Sequence, residues 1–286
     1  MGKKKKYIDY DYDEVFDTSI DQLEESAILK ALEKREVTSV YATKTIKSGN
    51  QLEVEIYPEF TKKKAVTKDG RFKKHKDIQN NLNDKNARKT LVRLINTNFA
   101  KGDYYLTLTY EGKYLPADMK EAQNNMKNYL RRINRLRKKK GLENCKYIYV
   151  TECRDGKNGI RCHHHLIIEG GLTMDELESS WTKGRRNNVR RYDPSVEDGG
   201  TGLANYLVKD PSGSKRWVSS KNLKKPVIRK NHQTFSKRKV KKMVEDTTSI
   251  SKIMTDKYKA EFKDVDVKYN HYNNKWYLYV RMYFKE

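Results

Sequence analysis

Cysteine and proline are scarce in this 286-residue chain, three and five residues respectively, and hydrophobic residues reach only 36%. Three cysteines, Cys145, Cys153 and Cys162, are too few and odd in number for a disulfide framework, and they read as small core residues. No stretch approaches the ~18 consecutive apolar residues of a membrane-spanning helix. Lys3 to Lys6 carry the charge of a signal peptide, but the acidic, aromatic stretch Ile8–Asp17 follows them instead of an apolar run. Lys6 also stands where a myristoylation signal requires Ser or Thr. A G-x-x-x-x-G-K-[ST] loop is missing, which excludes a P-loop ATPase. These absences predict a soluble, cytoplasmic protein with no membrane partner.

Charge is what the chain has in excess. Lys and Arg number 62 against 38 Asp and Glu, for a net of +24. The distribution is uneven: residues 1–60 carry a net of −4 and the remainder a net of +28. A field of that sign seeks polyanions, nucleic acid first among them. Three regions follow: an acidic head with a basic linker (1–82), a folded central domain (83–212), and a basic segment ending in a hairpin (213–286). In the head, residues 21–36 read as a solvated helix with Leu23, Ile28, Leu29 and Leu32 inward, or as a partner-binding segment.

In the central region, Ala87, Leu91, Leu94, Ile95 and Phe99 recur at helical spacing after Asn83 or Asp84. Tyr104–Tyr110 (YYLTLTY) reads as a strand. Residues 118–139 form a long amphipathic helix. Lys146–Cys153 and Arg161–Ile168 read as strands joined by a turn cluster at 155–159, hence antiparallel. Thr173 and Glu176 make a capping box, a strand is possible at 189–192, and Leu203–Lys209 forms a short helix. The order predicts an α+β fold, helices on one face of a mostly antiparallel sheet.

Three of the six histidines are consecutive: His163, His164 and His165. On a strand, alternate side chains share a face, so His163 and His165 point one way and His164 the other. Two imidazoles at i, i+2 hold a divalent ion if a neighbouring strand adds a carboxylate. Glu152 is the first candidate and Asp155 the alternative. Such a set leaves coordination positions open, as catalytic sites require. Hydrogen-bonded sheet histidines with no metal are the plain alternative. A zinc site from Cys153, Cys162 and a histidine lacks any C-x-x-C spacing.

Downstream, Tyr206 and Lys209 are i and i+3 and share a helix face. A phenol with a pKa of ~10 is a poor nucleophile unless a cation or metal favours the phenolate. With 20 tyrosines in the chain, a core role for Tyr206 is the competing reading. Residues 213–242 hold twelve Lys and Arg and no acid, together with Trp217 and Phe235. Cations that track phosphates and aromatics that stack on bases suit single strands; a disordered basic segment is the alternative. Val265–Phe284, with Asn273-Asn274 at its centre, reads as a hairpin.

Three motifs in order, Tyr105–Tyr110 (YLTLTY), Cys162–Ile168 (CHHHLII) and Ala204–Asp210 (ANYLVKD), resemble those of the HUH endonuclease superfamily. The branch is that of single-tyrosine rolling-circle replication initiators of plasmids and single-stranded-DNA phages. Asn83–Phe99 and Ser219–Pro226 resemble flanking motifs. The departure is His164, where the pattern has a bulky hydrophobic residue; it makes His164 an alternative ligand.

The resemblance implies a central antiparallel sheet of about five strands with flanking helices, related to the ferredoxin-like arrangement. It implies a metal-dependent DNA endonuclease and strand transferase. His163, His165 and Glu152 hold Mg²⁺ or Mn²⁺, and Tyr206 attacks the scissile phosphate of single-stranded DNA at an origin. A 5′-phosphotyrosine results, Lys209 orients Tyr206 or contacts the phosphate, and Thr107 and Thr109 support the metal strand or position DNA. A host helicase and polymerase supply unwinding and synthesis. A plasmid relaxase or single-strand transposase of the same superfamily, and a non-catalytic basic nucleic-acid-binding protein, are the competing readings.

Overall fold

The computed structural model describes residues 38–60, 76–153, 161–185, 187–194, 217–270 and 274–285. They divide into two compact units, one of residues 87–225 and one that joins the chain before Ala87 to Pro226 and beyond.

The unit of residues 87–225 is built on a five-stranded antiparallel sheet. Its strands are β3 (Tyr104–Thr109), β4 (Tyr147–Glu152), β5 (His163–Ile168), β6 (Asn188–Arg191) and β7 (Val218–Ser219), in the order β6-β3-β5-β4-β7. The centre strand β5 is covered on both faces, which is why His-His-His-Leu-Ile-Ile carries no solvent-facing alternation. One face, with Leu106, Leu108, Tyr149, His164, Leu166 and Ile168, packs on helix α2 (Met119–Lys139) through Ala122, Met126, Tyr129, Leu130 and Ile133. Asp118 caps this helix by accepting from the Glu121 amide at 2.7 Å. The other face, with Tyr105, Ile148, Val150 and Ile167, packs on Leu91, Ile95 and Phe99 of helix α1 (Lys76–Asn98).

Helices therefore cover both faces, not one. A β-strand presents two sides, and the apolar positions of β3, β4 and β5 fill both. Helix α1 also begins at Lys76, inside the stretch read as linker. The capping box at Thr173 and Glu176 is formed and opens helix α3 (Met174–Ser179).

Arg137, near the end of α2, is buried. Its guanidinium donates to the carbonyl oxygens of Glu143 (2.7 Å) and Gly170 and to the Glu169 carboxylate (3.0 Å). It fastens the helix end to the end of β5. At the opposite end of the strands, Glu111 donates its amide to the Lys183 carbonyl (2.9 Å), bringing Gly184 against β3.

The second unit has a five-stranded antiparallel sheet of β1 (Ser39–Ser48), β2 (Gln51–Phe60), β8 (Val227–Asn231), β9 (Glu261–Asn270) and β10 (Lys275–Tyr283), ordered β8-β1-β2-β10-β9. β1 and β2 join through Gly49-Asn50, with Gly49 at φ 58°. β9 and β10 pair as the expected hairpin. Helices α4 (Lys237–Glu245) and α5 (Thr248–Tyr258) lay Val240, Met243, Ile250 and Met254 on Leu52, Val54, Ile56, Leu278 and Val280. On the other sheet face three buried glutamates are paired: Glu53 with the Tyr279 hydroxyl (2.7 Å), Glu55 with Lys44 (3.0 Å), and Glu59 with Lys230 and His232.

A methyl group on Gly184 would meet the Thr109 carbonyl oxygen at 2.0 Å, whereas one on Gly112 would meet nothing within 4 Å. Gly184→Ala is expected to lower unfolding free energy by ~1–3 kcal/mol through overpacking against backbone. Gly112→Ala is expected to change it by less than ~1 kcal/mol. Urea midpoints of the two variants check both.

Candidate metal centre

Antiparallel pairing fixes the site. Glu152, the last residue of β4, lies directly across from His163, and Val150 lies across from His165. On the other side of β5, Thr109 and Thr107 face the same two histidines. Two-residue periodicity then gathers Glu152, His163, His165, Thr107 and Tyr105 on the face toward α1. One candidate ligand atom from each of Glu152, His163 and His165 lies within 4.8 Å of the others. His163 Nε2 is 3.4 Å from a Glu152 carboxylate oxygen, and the two imidazole rings meet edge-on with centroids 4.7 Å apart.

The ring orientations are set from behind. His163 Nδ1 donates to the Arg161 carbonyl at 2.8 Å, which turns Nε2 toward Glu152. His165 Nδ1 meets the Tyr105 hydroxyl at 2.8 Å and Thr107 Oγ1 at 3.3 Å. Burial, reinforced by the neighbouring His163, pushes the His165 pKa down to about 3, so the ring is neutral and able to ligate at neutral pH. Two imidazoles and a carboxylate are a donor set that fits a divalent cation. Glu152 and His163 keep partial solvent access, so the pocket of ligands opens outward.

His164 is on the opposite face. Its Nε2 is 2.7 Å from the Tyr110 hydroxyl and its Nδ1 2.8 Å from Thr151 Oγ1. Trp181 stands edge-on to it, with centroids 5.5 Å apart, and donates Nε1–H to the Thr109 carbonyl at 2.7 Å. Burial, then the flanking His163 and His165, lowers the His164 pKa to about 3. It is a neutral, hydrogen-bonded core residue. His164 thus fills a buried core position.

Other expectations changed. Cys153 and Cys162, each one residue outside the ligand pair Glu152 and His163, form a disulfide with Cα atoms 4.2 Å apart. They are paired with each other rather than set as two separate core thiols. Cys145 alone is the buried free cysteine. Phe235 is buried in the core under α4, and Trp217 packs against the core beside α1. Phe235 is therefore not a platform for bases, while Trp217 keeps part of its surface exposed. The cations around them, Lys221, Lys224, Lys225, Arg229 and Lys237 to Lys242, remain exposed. Tyr206, Lys209 and Asp155 lie outside the described residues, as do the helices read at 21–36 and 203–209.

Two partners escaped the sequence reading. Tyr105 shares the face of Thr107 and reaches His165, and Arg190 of β6, directly opposite Tyr105, places its guanidinium 4.8 Å over the Tyr105 ring. The two-residue alternation that separated the histidines was sufficient to put Tyr105 with them.

An antiparallel α+β sheet carrying this His/Glu cluster is the frame within which the comparisons fall. Residues 103–211 match the family model of replication-associated protein ORF2/G2P. The matched span begins beside β3, includes the whole cluster, and runs through Tyr206 and Lys209 to its end. It supports a replication-initiator role for the chain. No curated protein and no solved structure matches. Among the described residues, no helix is long and apolar enough to cross a membrane.

Because His164 and His165 are held neutral, each contributes stability that is present above the unfolded-state pKa of ~6.5 and lost as pH falls toward about 3. Between pH 6.5 and 5 most carboxylates stay ionised, so this histidine contribution dominates. The melting temperature of protein in EDTA is expected to fall across that window. His164→Gln is expected to flatten part of the slope, measurable by circular dichroism melts at half-unit pH steps.

Proposed function

We propose that the protein is a rolling-circle replication initiator that nicks and rejoins single-stranded DNA at an origin through a 5′-phosphotyrosine at Tyr206. The observation that carries this reading is the approach of Glu152, His163 and His165 within 4.8 Å, inside the region that matches the replication-associated family model. Among the described residues that cluster is also the one group of three His, Cys, Asp or Glu side chains close enough to share an ion.

A bound Mg²⁺ or Mn²⁺ supplies Lewis-acid polarisation of the scissile phosphate. Glu152, His163 and His165 hold it. Lys209, three residues after Tyr206 in the chain, favours the phenolate. The Tyr206 phenolate oxygen bonds to phosphorus as the bond from phosphorus to the 3′-oxygen breaks, and the leaving 3′-oxygen takes up a proton. The phosphodiester is exchanged for a tyrosyl ester of similar energy. A free 3′-hydroxyl can therefore reverse the step and reseal the strand without ATP. The exposed cations from Lys221 to Lys242 attract the DNA backbone. With no P-loop in the chain, duplex opening falls to a host helicase and synthesis to a host polymerase.

A relaxase site built on three clustered histidine ligands is not favoured, because His164 points to the opposite face and is held by Tyr110 and Thr151. A binding-only protein requires neither metal nor Tyr206, which separates it by experiment.

End-labelled single strands tiling the DNA element that encodes the protein, incubated with Mn²⁺, are expected to give an SDS-resistant protein–DNA band. EDTA or Tyr206→Phe is expected to remove the band, with DNA binding by Tyr206→Phe within about threefold of wild type. Absence of any band from folded protein that still binds DNA would replace this reading with the binding-only one. His163→Ala and His165→Ala are expected to weaken Mn²⁺ binding at least ~10-fold. His164→Ala is expected to lower stability by ~2–4 kcal/mol with a smaller effect on metal affinity; a reversed ranking in calorimetric titrations would contradict the ligand assignment.

A further inference from the structure

The two histidines of the cluster are oriented by different kinds of partner. A neutral imidazole carries one N–H and one lone pair, and it ligates a metal through the nitrogen that lacks the proton. The partner of His163 Nδ1 is the Arg161 carbonyl, which can only accept, so Nδ1 is the donor nitrogen and Nε2 is the one turned to the cluster. The partners of His165 Nδ1 are hydroxyls, Tyr105 at 2.8 Å and Thr107 at 3.3 Å. A hydroxyl donates or accepts, so these contacts are compatible with either His165 tautomer, and the orienting partners are side chains rather than backbone.

Tyr105 has the shorter contact and the firmer seat. It is 7% exposed. Its ring lies parallel to that of His165, at an interplanar angle of 4° and a centroid distance of 6.1 Å. The Arg190 guanidinium covers it from β6 at 4.8 Å. His165, Tyr105 and Arg190 thus stand side by side across three adjacent strands.

We propose that Tyr105 is the positioning residue of the metal centre. Its hydroxyl oxygen accepts the Nδ1–H of His165 and so keeps the Nε2 lone pair directed at the cluster shared with His163 and Glu152. The inference rests on the metal-binding reading above and assigns Tyr105 no contact with DNA. Thr107, at 3.3 Å, is the weaker of the two acceptors.

The test is Mn²⁺ titration of the full-length protein without DNA, by calorimetry, for wild type, Tyr105→Phe and Thr107→Val. Melting in EDTA runs in parallel. Phe keeps the ring and its packing, so a purely structural role would leave affinity per folded molecule unchanged. Tyr105→Phe is expected to weaken Mn²⁺ binding ~10-fold or more, and Thr107→Val by less. Nitrogen chemical shifts of metal-free wild type are expected to place the His165 proton on Nδ1, and this preference is expected to diminish in Tyr105→Phe. Equal Mn²⁺ affinity for wild type and Tyr105→Phe, within threefold, would overturn the assignment. Wild-type protein that binds no Mn²⁺ would give a different result: it would overturn the metal centre itself, and this inference with it.

Discussion

The cross-strand register of β4, β5 and β3 is the constraint on which the site depends. With Glu152 opposite His163, and Thr109 and Thr107 opposite His163 and His165, two imidazoles and one carboxylate converge on one sheet face. A slip of one residue would exchange every side chain between faces. It would send His163 and His165 into the core under α2 and bring His164 out. Both faces of β5 are buried, so such a slip would also drive apolar residues out of two separate cores. The packing of Leu166 and Ile168 against α2, and of Ile167 against α1, therefore enforces the geometry of residues that contribute little to the core themselves.

The same register explains how three adjacent histidines take two roles. His164 is tolerated at a core position because Tyr110 and Thr151 satisfy both of its nitrogens and aromatic neighbours surround it. Without those partners a buried imidazole would carry the cost of an unsatisfied polar group. His163 and His165 are instead tied at Nδ1, by a carbonyl and by hydroxyls, with Nε2 left for the cluster. The Cys153–Cys162 bond closes the ends of β4 and β5 one residue beyond Glu152 and His163, where the strand pairing ends.

Where the fold is local, the sequence carried it openly. Strand alternation separated the histidines, β4 and β5 pair antiparallel as read, and Thr173 with Glu176 announced a helix start. Non-local features were not legible. The pairing of a hairpin from residues 39–60 with strands from the far end of the chain follows from contacts across more than 170 residues. Its own signal, a β-branched run broken by Gly49-Asn50, was masked by the acidic charge around it. The early start of α1 was hidden because Lys76–Asn83 is mostly polar, with only Ile78 and Leu82 at helical spacing. Phe235 looked like a base-stacking residue because composition cannot tell an aromatic among cations from an aromatic beneath them. Tyr105 was visible as a strand residue, but its role emerged only when its hydroxyl was seen against His165.

The central claim is that one face of this sheet holds a divalent ion between Glu152, His163 and His165. The most direct measurement is anomalous scattering from crystals soaked in Mn²⁺. The account predicts a single strong peak within coordination distance of Nε2 of His163, Nε2 of His165 and a Glu152 carboxylate oxygen. A peak at His164, or no peak at this face from crystals that bind Mn²⁺ elsewhere, would contradict it.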